Sequence, residues 1–343
     1  MMVGLHKRLL LGIAGLTTLS GLLLYSEIKE NFKKTENLEI VKEDTAPNYL
    51  MGDTDKEYEI EDTLEKRKEF IQNAKKSLEK VVNNEIIEKN LVWEALGLGL
   101  DYGKLSPNLK SKNEDPNIGS LIQIVKINPS KYSLELLMKS EKGGNYRTAE
   151  QWTKEFNLVG AINAGMFRAD YKTSCGYAIN GNHVNNSKFT PDYNSVLAFN
   201  AVDSSVPPVQ IIDLKHQNFD LIKPKYKSFV QNLRMIDLNG KNTWYQSDKI
   251  WSIASIGIDK QNNVLFMFSR SPYSVHDFIN ILKNSPLDIK NAMYCEGGPE
   301  ATLYLSKNGK IINEFGSYET GFNQNHDNNQ SWNIPNVVGI KEK

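Results

Sequence analysis

Asn291-Ala-Met-Tyr-Cys-Glu-Gly-Gly-Pro-Glu300 is the most informative stretch of the chain. Its first five residues are mostly apolar and predict a buried strand. The strand runs into a carboxylate, Glu296, and the two glycines that follow permit a tight turn and a close approach of the backbone. A carboxylate beside backbone amides suits an acid, a base or a nucleophile next to an anionic oxygen. We therefore predict that Glu296 is catalytic and that Gly297 and Gly298 bind substrate.

The end of this stretch carries a second acid. Pro299 is a residue typical of the first turn of a helix, so we predict that a helix follows the strand. Glu300 would lie in that first turn, and it is a second candidate catalytic residue. The helix dipole alone also favours an acid at this position, so a purely structural role for Glu300 stays open.

A second strand ends in the same way, in the segment Gly160-Ala-Ile-Asn-Ala-Gly-Met-Phe-Arg168. Asn163 can hydrogen-bond substrate hydroxyls through both ends of its amide, and we place it in the catalytic site. The alternative is an asparagine that satisfies the backbone of a turn. Arg168 can hold a phosphate through two parallel hydrogen bonds, so it is a candidate substrate-binding residue. A surface ion pair is the alternative.

Three further residues are candidates for substrate binding. His183 follows a predicted hairpin turn, Asn180-Gly-Asn, and can transfer protons near neutral pH, although a histidine there can also be incidental. Tyr318 and Glu319 lie together in a predicted loop. An aromatic ring beside a carboxylate suits a sugar, which has an apolar face and a rim of hydroxyls. An ordinary aromatic-rich loop is the alternative.

Several classes of protein are disfavoured by what the sequence lacks. The five histidines are scattered, and none stands at metal-ligand spacing from another, so we predict no metal and no cofactor. Neither a glycine-rich phosphate loop nor a Gly-x-Ser-x-Gly elbow is present. Lysine and arginine together number 41, as do aspartate and glutamate. This balance gives no sign of a nucleic-acid partner.

The rest of the chain alternates strand patterns with a few helical ones. Predicted strands cover residues 120–127, 132–138, 159–163, 195–199, 209–213, 253–259, 263–269 and 334–340, and predicted helices cover 148–156 and 274–283. We therefore predict an α+β fold, in which a single mixed-sheet domain with flanking helices occupies residues 111–343. Residues 101–118 are rich in loop-forming residues.

The N-terminal part has a different composition. Lys7 and Arg8 precede an apolar run over residues 9–25, so residues 1–30 are a membrane anchor or a cleaved signal peptide, with a core helix the least favoured interpretation. Either main interpretation places the body outside the cytoplasm, at the periplasmic or extracellular face, and the anchor would contact the inner membrane. Residues 31–60 are a predicted linker. An amphipathic pattern over residues 62–91 predicts a helical segment within 61–110.

The chain has two cysteines, Cys175 and Cys295. In an exported protein such a pair can form a disulfide, and the alternative is two separate thiols. A third hypothesis makes one of them the nucleophile of a thiol enzyme, which requires an activated thiolate.

Taken together, these motifs resemble the phosphodiester glycosidase family. The matching segments are Asn163 to Phe167, Gly176 to Gly181, Ile256 to Ile258, Cys295 to Gly298 and Ile334 to Ile340. They occur in the family's order and span residues 118–341.

The resemblance implies a hydrolase that acts on a sugar-1-phosphodiester, or a related glycosidic bond, in envelope or exopolysaccharide glycans. Glu296 would be the acid, base or nucleophile, and Asn163 and the amides of Gly297 and Gly298 would orient the substrate. A non-catalytic module on the same fold, for glycan binding or exopolysaccharide assembly, is the alternative.

Two departures from the family pattern bear on the substrate. Many members carry Asp-Gly-Gly followed by small residues, where this chain has Glu296 and then Pro299-Glu300. Many members also place an arginine shortly before the Ile-Gly-Ile strand, where this chain has Trp251-Ser-Ile-Ala-Ser. Arg234 or Arg270 are the candidate replacements for that arginine.

Overall fold

The computed structural model describes residues 90–343 as a continuous chain, and before them only positions 69, 72, 73 and 76. These four positions are helical and exposed, and they lie within the predicted amphipathic helix. The predicted apolar run over 9–25 and the predicted linker over 31–60 lie outside the described residues. Within the described residues, no helix has the length and apolar character needed to cross a membrane. Contacts divide the chain into Met1–Lys75 and Lys76–Lys343, and the fold below is that of the second unit.

The largest of three sheets has seven strands in the order β1-β2-β3-β13-β12-β14-β11. Its strands are β1 (Leu91–Gly97), β2 (Leu100–Leu105), β3 (Ile122–Ile127), β11 (Arg234–Ile236), β12 (Trp251–Asp259), β13 (Val264–Tyr273) and β14 (Ile289–Gly297). Each paired neighbour in this sheet is antiparallel. The long hairpin of β12 and β13 therefore lies at its centre, next to the strand that carries Glu296.

Two five-stranded antiparallel sheets complete the domain, in the orders β7-β6-β10-β8-β9 and β16-β15-β5-β17-β4. Their strands are β4 (Tyr132–Met138), β5 (Gly160–Asn163), β6 (Ala178–Asn180), β7 (His183–Asn186), β8 (Ser195–Ala201), β9 (Val209–Asp213), β10 (Tyr226–Asn232), β15 (Thr302–Lys307), β16 (Lys310–Phe315) and β17 (Asn336–Glu342). The predicted Asn180-Gly-Asn hairpin is confirmed, since it joins β6 to β7.

The described helices are short and lie at the faces and edges of the sheets: α1 (Lys139–Lys142), α2 (Ala149–Glu155), α3 (Phe219–Ile222) and α4 (Val275–Lys283), with 3-10 turns at Lys223–Lys225 and Gly298–Glu300. The start of α2 is fixed by a capping box between Thr148 and Gln151. Ser274 caps α4 by accepting a hydrogen bond from the Asp277 amide. Both caps explain why these two helices were predictable.

The main core lies among the three sheets. It gathers side chains such as Val125, Ile162, Leu197, Phe266 and Leu303, which come from all three of them. A second core lies where the other face of the seven-stranded sheet packs against α4, and it contains Tyr294. Smaller cores lie under α2 and α3. Because both faces of β14 are covered, the residues at its end are held in a fixed position.

The prediction of an α+β domain with flanking helices is confirmed, and the structure adds that its sheets are three and antiparallel within the described residues. Two local predictions are wrong. Residues 91–105, assigned to the helical segment within 61–110 and to the start of a loop, form the β1–β2 hairpin, because Leu91 and Leu105 bury against the seven-stranded sheet. The helix predicted after Pro299 is a single 3-10 turn, and β15 follows at once.

Candidate active site

The site is built at the end of β14, where the strand leaves the core. Residues 291–295 are buried and Glu296 is half-buried. The register with β12 pairs Tyr294 with Ser255 but Glu296 with Ala254, so Cys295 is an extra residue in a bulge. Bulges re-aim neighbouring side chains and are common beside active sites.

Both glycines after Glu296 are required by their surroundings. A Cβ on Gly297 would lie 2.1 Å from the Tyr294 hydroxyl and 2.5 Å from a carbon of the Trp251 ring. Gly298 has a φ of 62°, and a Cβ there would lie 2.2 Å from a carboxylate oxygen of Glu319. The glycines therefore let Tyr294, Trp251 and Glu319 close around the end of the strand.

Three carboxyl groups share this small space. Burial, with a smaller contribution from the charges of Glu300 and Glu319, raises the pKa of Glu296 to about 8, although a hydrogen bond from the Gly297 amide acts the other way. Burial also raises the pKa of Glu300, with Glu319 adding to the shift, and burial raises the pKa of Glu319. At neutral pH Glu296 is therefore a protonated acid among like charges.

Asn163 lies beside this cluster, but it does not present its amide to a substrate. It is 1% exposed. Its Nδ2 donates to the Glu300 carbonyl at 2.9 Å, and its Oδ1 accepts from the Thr302 amide at 2.7 Å. The prediction that both ends of this amide bind substrate is wrong, because both ends hold the backbone around Glu300. Asn163 is a positioning residue.

Three further groups near Glu296 were missed or unassigned in the sequence. Burial raises the pKa of Tyr171, and the Glu300 and Glu296 charges raise it further. Burial raises the pKa of Tyr193 to about 12, with Cys175 and Glu296 adding to the shift. Cys175 is half-buried in the same neighbourhood. Tyr171 could have been found from its place at the end of the Asn163 segment, but Tyr193 lies in a loop that no motif marks.

Arg168 lies at the edge of this neighbourhood. Its side chain is exposed, and its charge lowers the pKa of Cys175 against the dominant effect of burial. The loop around it is ordered by Asp170, whose carboxylate accepts from the Lys172 and Thr173 amides. Within residues 90–343, the Arg168 guanidinium makes neither a hydrogen bond nor an ion pair, so the predicted surface ion pair is not formed there.

Two predicted substrate-binding residues have other contacts. The His183 ring pairs with the Ser140 hydroxyl at 2.8 Å through Nε2. The Tyr318 ring packs against His326, with 5.9 Å between ring centroids. Only Glu319 of the Tyr318–Glu319 pair reaches the carboxyl cluster. The structure therefore brings together Glu296, Glu300 and Glu319 and gives His183 and Tyr318 no contact with them among the described residues.

Neither candidate replacement for the family arginine is available as a free cation. Arg270 donates to Asp115 at 2.7 Å and to the carbonyls of Phe315, His326 and Asn328. Arg234 donates to Asp213 at 2.6 Å. Both arginines therefore serve buried ion pairs.

The cysteines are free, so the disulfide hypothesis is wrong. Burial raises the pKa of Cys175 and, more strongly, that of Cys295, and the Glu296 charge raises both further. Both thiols therefore stay protonated at neutral pH, which disfavours the thiol-enzyme hypothesis. In the described part of the chain, no group of three or more histidines, cysteines or acids has the geometry of a metal site.

A carboxyl with a raised pKa beside two others can serve acid–base catalysis. Comparison with known families agrees. The model of the family described as phosphodiester glycosidase matches residues 156–341. This is more than half of the chain, and the chain belongs to the phosphodiester glycosidase family, as its motifs indicated.

Two solved structures are among those similar to this chain. One is the catalytic domain of the zebrafish N-acetylglucosamine-1-phosphodiester alpha-N-acetylglucosaminidase, auto-inhibited by its pro-peptide, at 15% identity, with 74% of this chain and 89% of that one covered and a TM-score of 0.47. The other is a Synechocystis protein at 13% identity, with 71% of this chain and 62% of that one covered and a TM-score of 0.48. The search of curated proteins gave no match.

Proposed function

We propose that the protein hydrolyses the glycosidic bond of a sugar joined through C1 to a phosphodiester, in envelope or exopolysaccharide glycans. One observation carries this proposal: burial among other carboxyls holds the pKa of Glu296 at about 8. A carboxyl that stays protonated at neutral pH is a general acid. Glu296 would give its proton to the departing oxygen as the bond to C1 breaks.

The second half of the reaction needs an ionised carboxylate, and Glu319 and Glu300 supply the candidates. Like charges this close cannot all ionise together, so protonation of Glu296 favours ionisation of its neighbours. The ionised carboxylate would attack C1 or take a proton from the attacking water. If it attacks C1, Glu296 then takes a proton from the water that releases the sugar, and Glu296 is again protonated. If it acts as a base, it holds the proton of the water, and exchange with solvent returns both groups to their starting states.

The surroundings of the acids suit a sugar phosphate. Tyr171 and Trp251 lie beside them, and Phe322, which is 65% exposed, stands in the turn that begins at Glu319. Aromatic rings pack against the apolar faces of sugars. The exposed Arg168 guanidinium is the cation we propose for the phosphate.

The direct test is hydrolysis by Glu296→Gln. The probes are p-nitrophenyl glycosides and the p-nitrophenyl phosphodiesters of 1-phosphosugars. Loss of a general acid should lower kcat by about 10²–10⁴-fold. The control is Glu314→Gln, another half-buried glutamate with a raised pKa, which lies beside Gln123 and Arg270 instead. Equal activity of E296Q and wild type would refute the role of Glu296.

A non-catalytic glycan-binding module is the second candidate. The engagement of Arg234 and Arg270 in ion pairs and of Asn163 with the backbone favours it. Under this alternative, wild type and E296Q would bind the same glycans on an array, and wild type would hydrolyse none of the probes.

For the location, we propose that the body is exported, to the periplasmic or extracellular face. The support is the apolar run over residues 9–25 behind Lys7 and Arg8. A reporter enzyme that is active only outside the cytoplasm, fused after residue 343, should be active. Activity of a cytoplasm-only reporter in the same position would contradict the proposal.

A further inference from the structure

Tyr294 and Glu296 lie on either side of the Cys295 bulge in β14. The Tyr294 side chain is 5% exposed and belongs to the core between this sheet and α4. Its ring contacts the Trp244 ring, with 5.7 Å between centroids. The ring is thus fixed from behind, and the hydroxyl is carried to Gly297, at the base of the acidic site.

Trp251, on the neighbouring strand β12, also lies beside Gly297. Its Nε1 lies 2.9 Å from the place where a Gly297 Cβ would stand, and the Tyr294 hydroxyl lies 2.1 Å from that place. The Trp251 Nε1 is buried and has no partner in ideal hydrogen-bond geometry within the described residues. By contrast, Trp244 donates its Nε1 hydrogen to the Arg234 carbonyl at 2.8 Å. The Tyr294 oxygen lies beside the same Gly297 position, and the two groups are close enough to interact.

The Tyr294 hydroxyl keeps its hydrogen. Burial raises its pKa well above the ordinary value, and the charges of Glu296 and Glu319 raise it further, while the Trp251 N–H acts weakly the other way. The hydroxyl can therefore donate this hydrogen to an acceptor. The acids whose charges act on it are Glu296 and Glu319.

We propose that Tyr294 is a positioning residue of the acidic site. Its hydroxyl, oriented by the Trp251 N–H, donates a hydrogen bond to ionised Glu319 and leaves the proton on Glu296. Glu319 is thereby ionised and Glu296 protonated before substrate binds. This proposal rests on the proposed function, because it assigns the two roles that the hydrolysis needs.

Other ionisable groups face the same space and enter any titration. They are Cys295 from β14, Glu300 from the 3-10 turn, Tyr171, Cys175 and Arg168 from the loop after β5, and Tyr193 from the loop before β8. Burial raises the pKa of both thiols and of both tyrosines, so these four groups stay protonated near neutral pH. The Arg168 charge is permanent. The groups that change charge are the three glutamates.

The first test is Tyr294→Phe, measured as a pH profile. We expect kcat to fall about tenfold with KM changed less than about twofold, because the ground-state contacts remain. The acidic limb of the profile should move to higher pH by about half a unit or more, because Glu319 loses a donor that favours its ionised form. Tyr273→Phe is the control, since its hydroxyl is also buried but bonds the Leu109 and Ser120 carbonyls. An unmoved acidic limb in Y294F would overturn the proposal.

The second test is a double-mutant cycle with Trp251→Phe, which keeps a ring and removes the N–H. Because Trp251 acts through Tyr294, W251F should lower kcat severalfold in the wild-type background and have no further effect in Y294F. Equal decreases of kcat in both backgrounds would show that Trp251 acts independently of Tyr294, and the proposed role of the Trp251 N–H would be wrong.

A substrate-free measurement separates this proposal from the proposed function. Glutamate labelled with ¹³C at its carboxyl carbon reports the ionisation of Glu319 in wild type and Y294F. The Glu319 pKa should rise in Y294F, whether or not the protein hydrolyses any probe. If it does not rise, Tyr294 is not the donor, even in an active hydrolase. If it rises while wild type is inactive, only the proposed function fails.

Discussion

The domain buries charge in two contrasting places. In one, Asp115 is fully buried and Arg270 pairs with it at 2.7 Å. Arg270 also donates to three carbonyls, and the His326 ring stands 3.5 Å from the same carboxylate. In the other, Glu296, Glu300 and Glu319 lie together without an arginine or lysine bonded to any of them among the described residues. Paired charge holds a structure together, whereas unpaired like charge shifts pKa values and prepares chemistry.

The two places are linked, because the first one fixes the loop that carries an acid of the second. Arg270 binds the carbonyls of Phe315 and Asn328, on either side of Glu319. The Asn328 side chain donates to the Gly316 carbonyl, and the Asn323 side chain donates to that of Ser317. The stable ion pair thus holds the loop that places Glu319 against Gly298.

Removing the paired cation should have the largest effect on stability. Arg270→Met leaves the Asp115 carboxylate buried without its partner, and such losses cost about 3–5 kcal/mol. The free energy of unfolding from urea titration measures it. The matched change is Lys154→Met in the exposed pair with Glu150, which should leave the midpoint unchanged. If both variants lost similar amounts of unfolding free energy, the buried Arg270 pair would contribute no more to stability than the exposed Lys154 pair.

The second-largest loss of stability is expected at Gly298, where the backbone lies close to the third acid, Glu319. Gly298→Ala places a Cβ on Glu319 and forces alanine into a φ of 62°, so we expect a loss of about 1–3 kcal/mol and displacement of Glu319. Gly181→Ala tests the backbone effect alone, because its φ is 57° and nothing lies within 4 Å of the added atom. Thermal unfolding measures the stability of both variants. A G298A variant that loses no more stability than G181A would contradict the account.

Replacing an unpaired acid should raise stability, whereas the two changes above lower it. The Glu296 pKa is about 8 in the folded protein and about 4.5 in the unfolded chain. The folded state therefore binds the proton more tightly, and Glu296 lowers stability progressively as pH rises from about 4.5 to 8. Glu296→Gln removes this penalty, so it should gain about 1–3 kcal/mol at pH 8 and almost nothing near pH 4.5. The urea midpoints of E296Q and wild type at both pH values measure this difference. An E296Q variant that is less stable than wild type at pH 8 would contradict the prediction.

The acidic site could be predicted from the sequence in part, whereas the Asp115–Arg270 pair could not. Glu296 was predictable, because an apolar strand that runs into an acid and two glycines is a local pattern. The pairing of Asp115 with Arg270 was not, since 155 residues separate them and no local pattern connects them. Glu319 was a candidate from its aromatic neighbour Tyr318, yet that tyrosine packs elsewhere, on His326. The role of Asn163 was misjudged because its partners are backbone groups of a distant segment.

The same reasoning applies to the fold. The helices with recognisable caps were predicted correctly, and so were the strands with continuous apolar runs, such as residues 253–259. The β1–β2 hairpin was missed because only Leu91 and Leu96 of β1 are buried, so β1 lacks the regular alternation that predicts a strand.

The central claim is that Glu296 is a protonated carboxylic acid at neutral pH because it is buried among other acids. The most direct test is a ¹³C titration of carboxyl-labelled glutamates in wild type, with Glu296→Gln used to assign the signal. The account predicts a signal that titrates with a pKa of about 8 and is missing in E296Q. A Glu296 signal that titrates near 4.5, as in the unfolded chain, would contradict it.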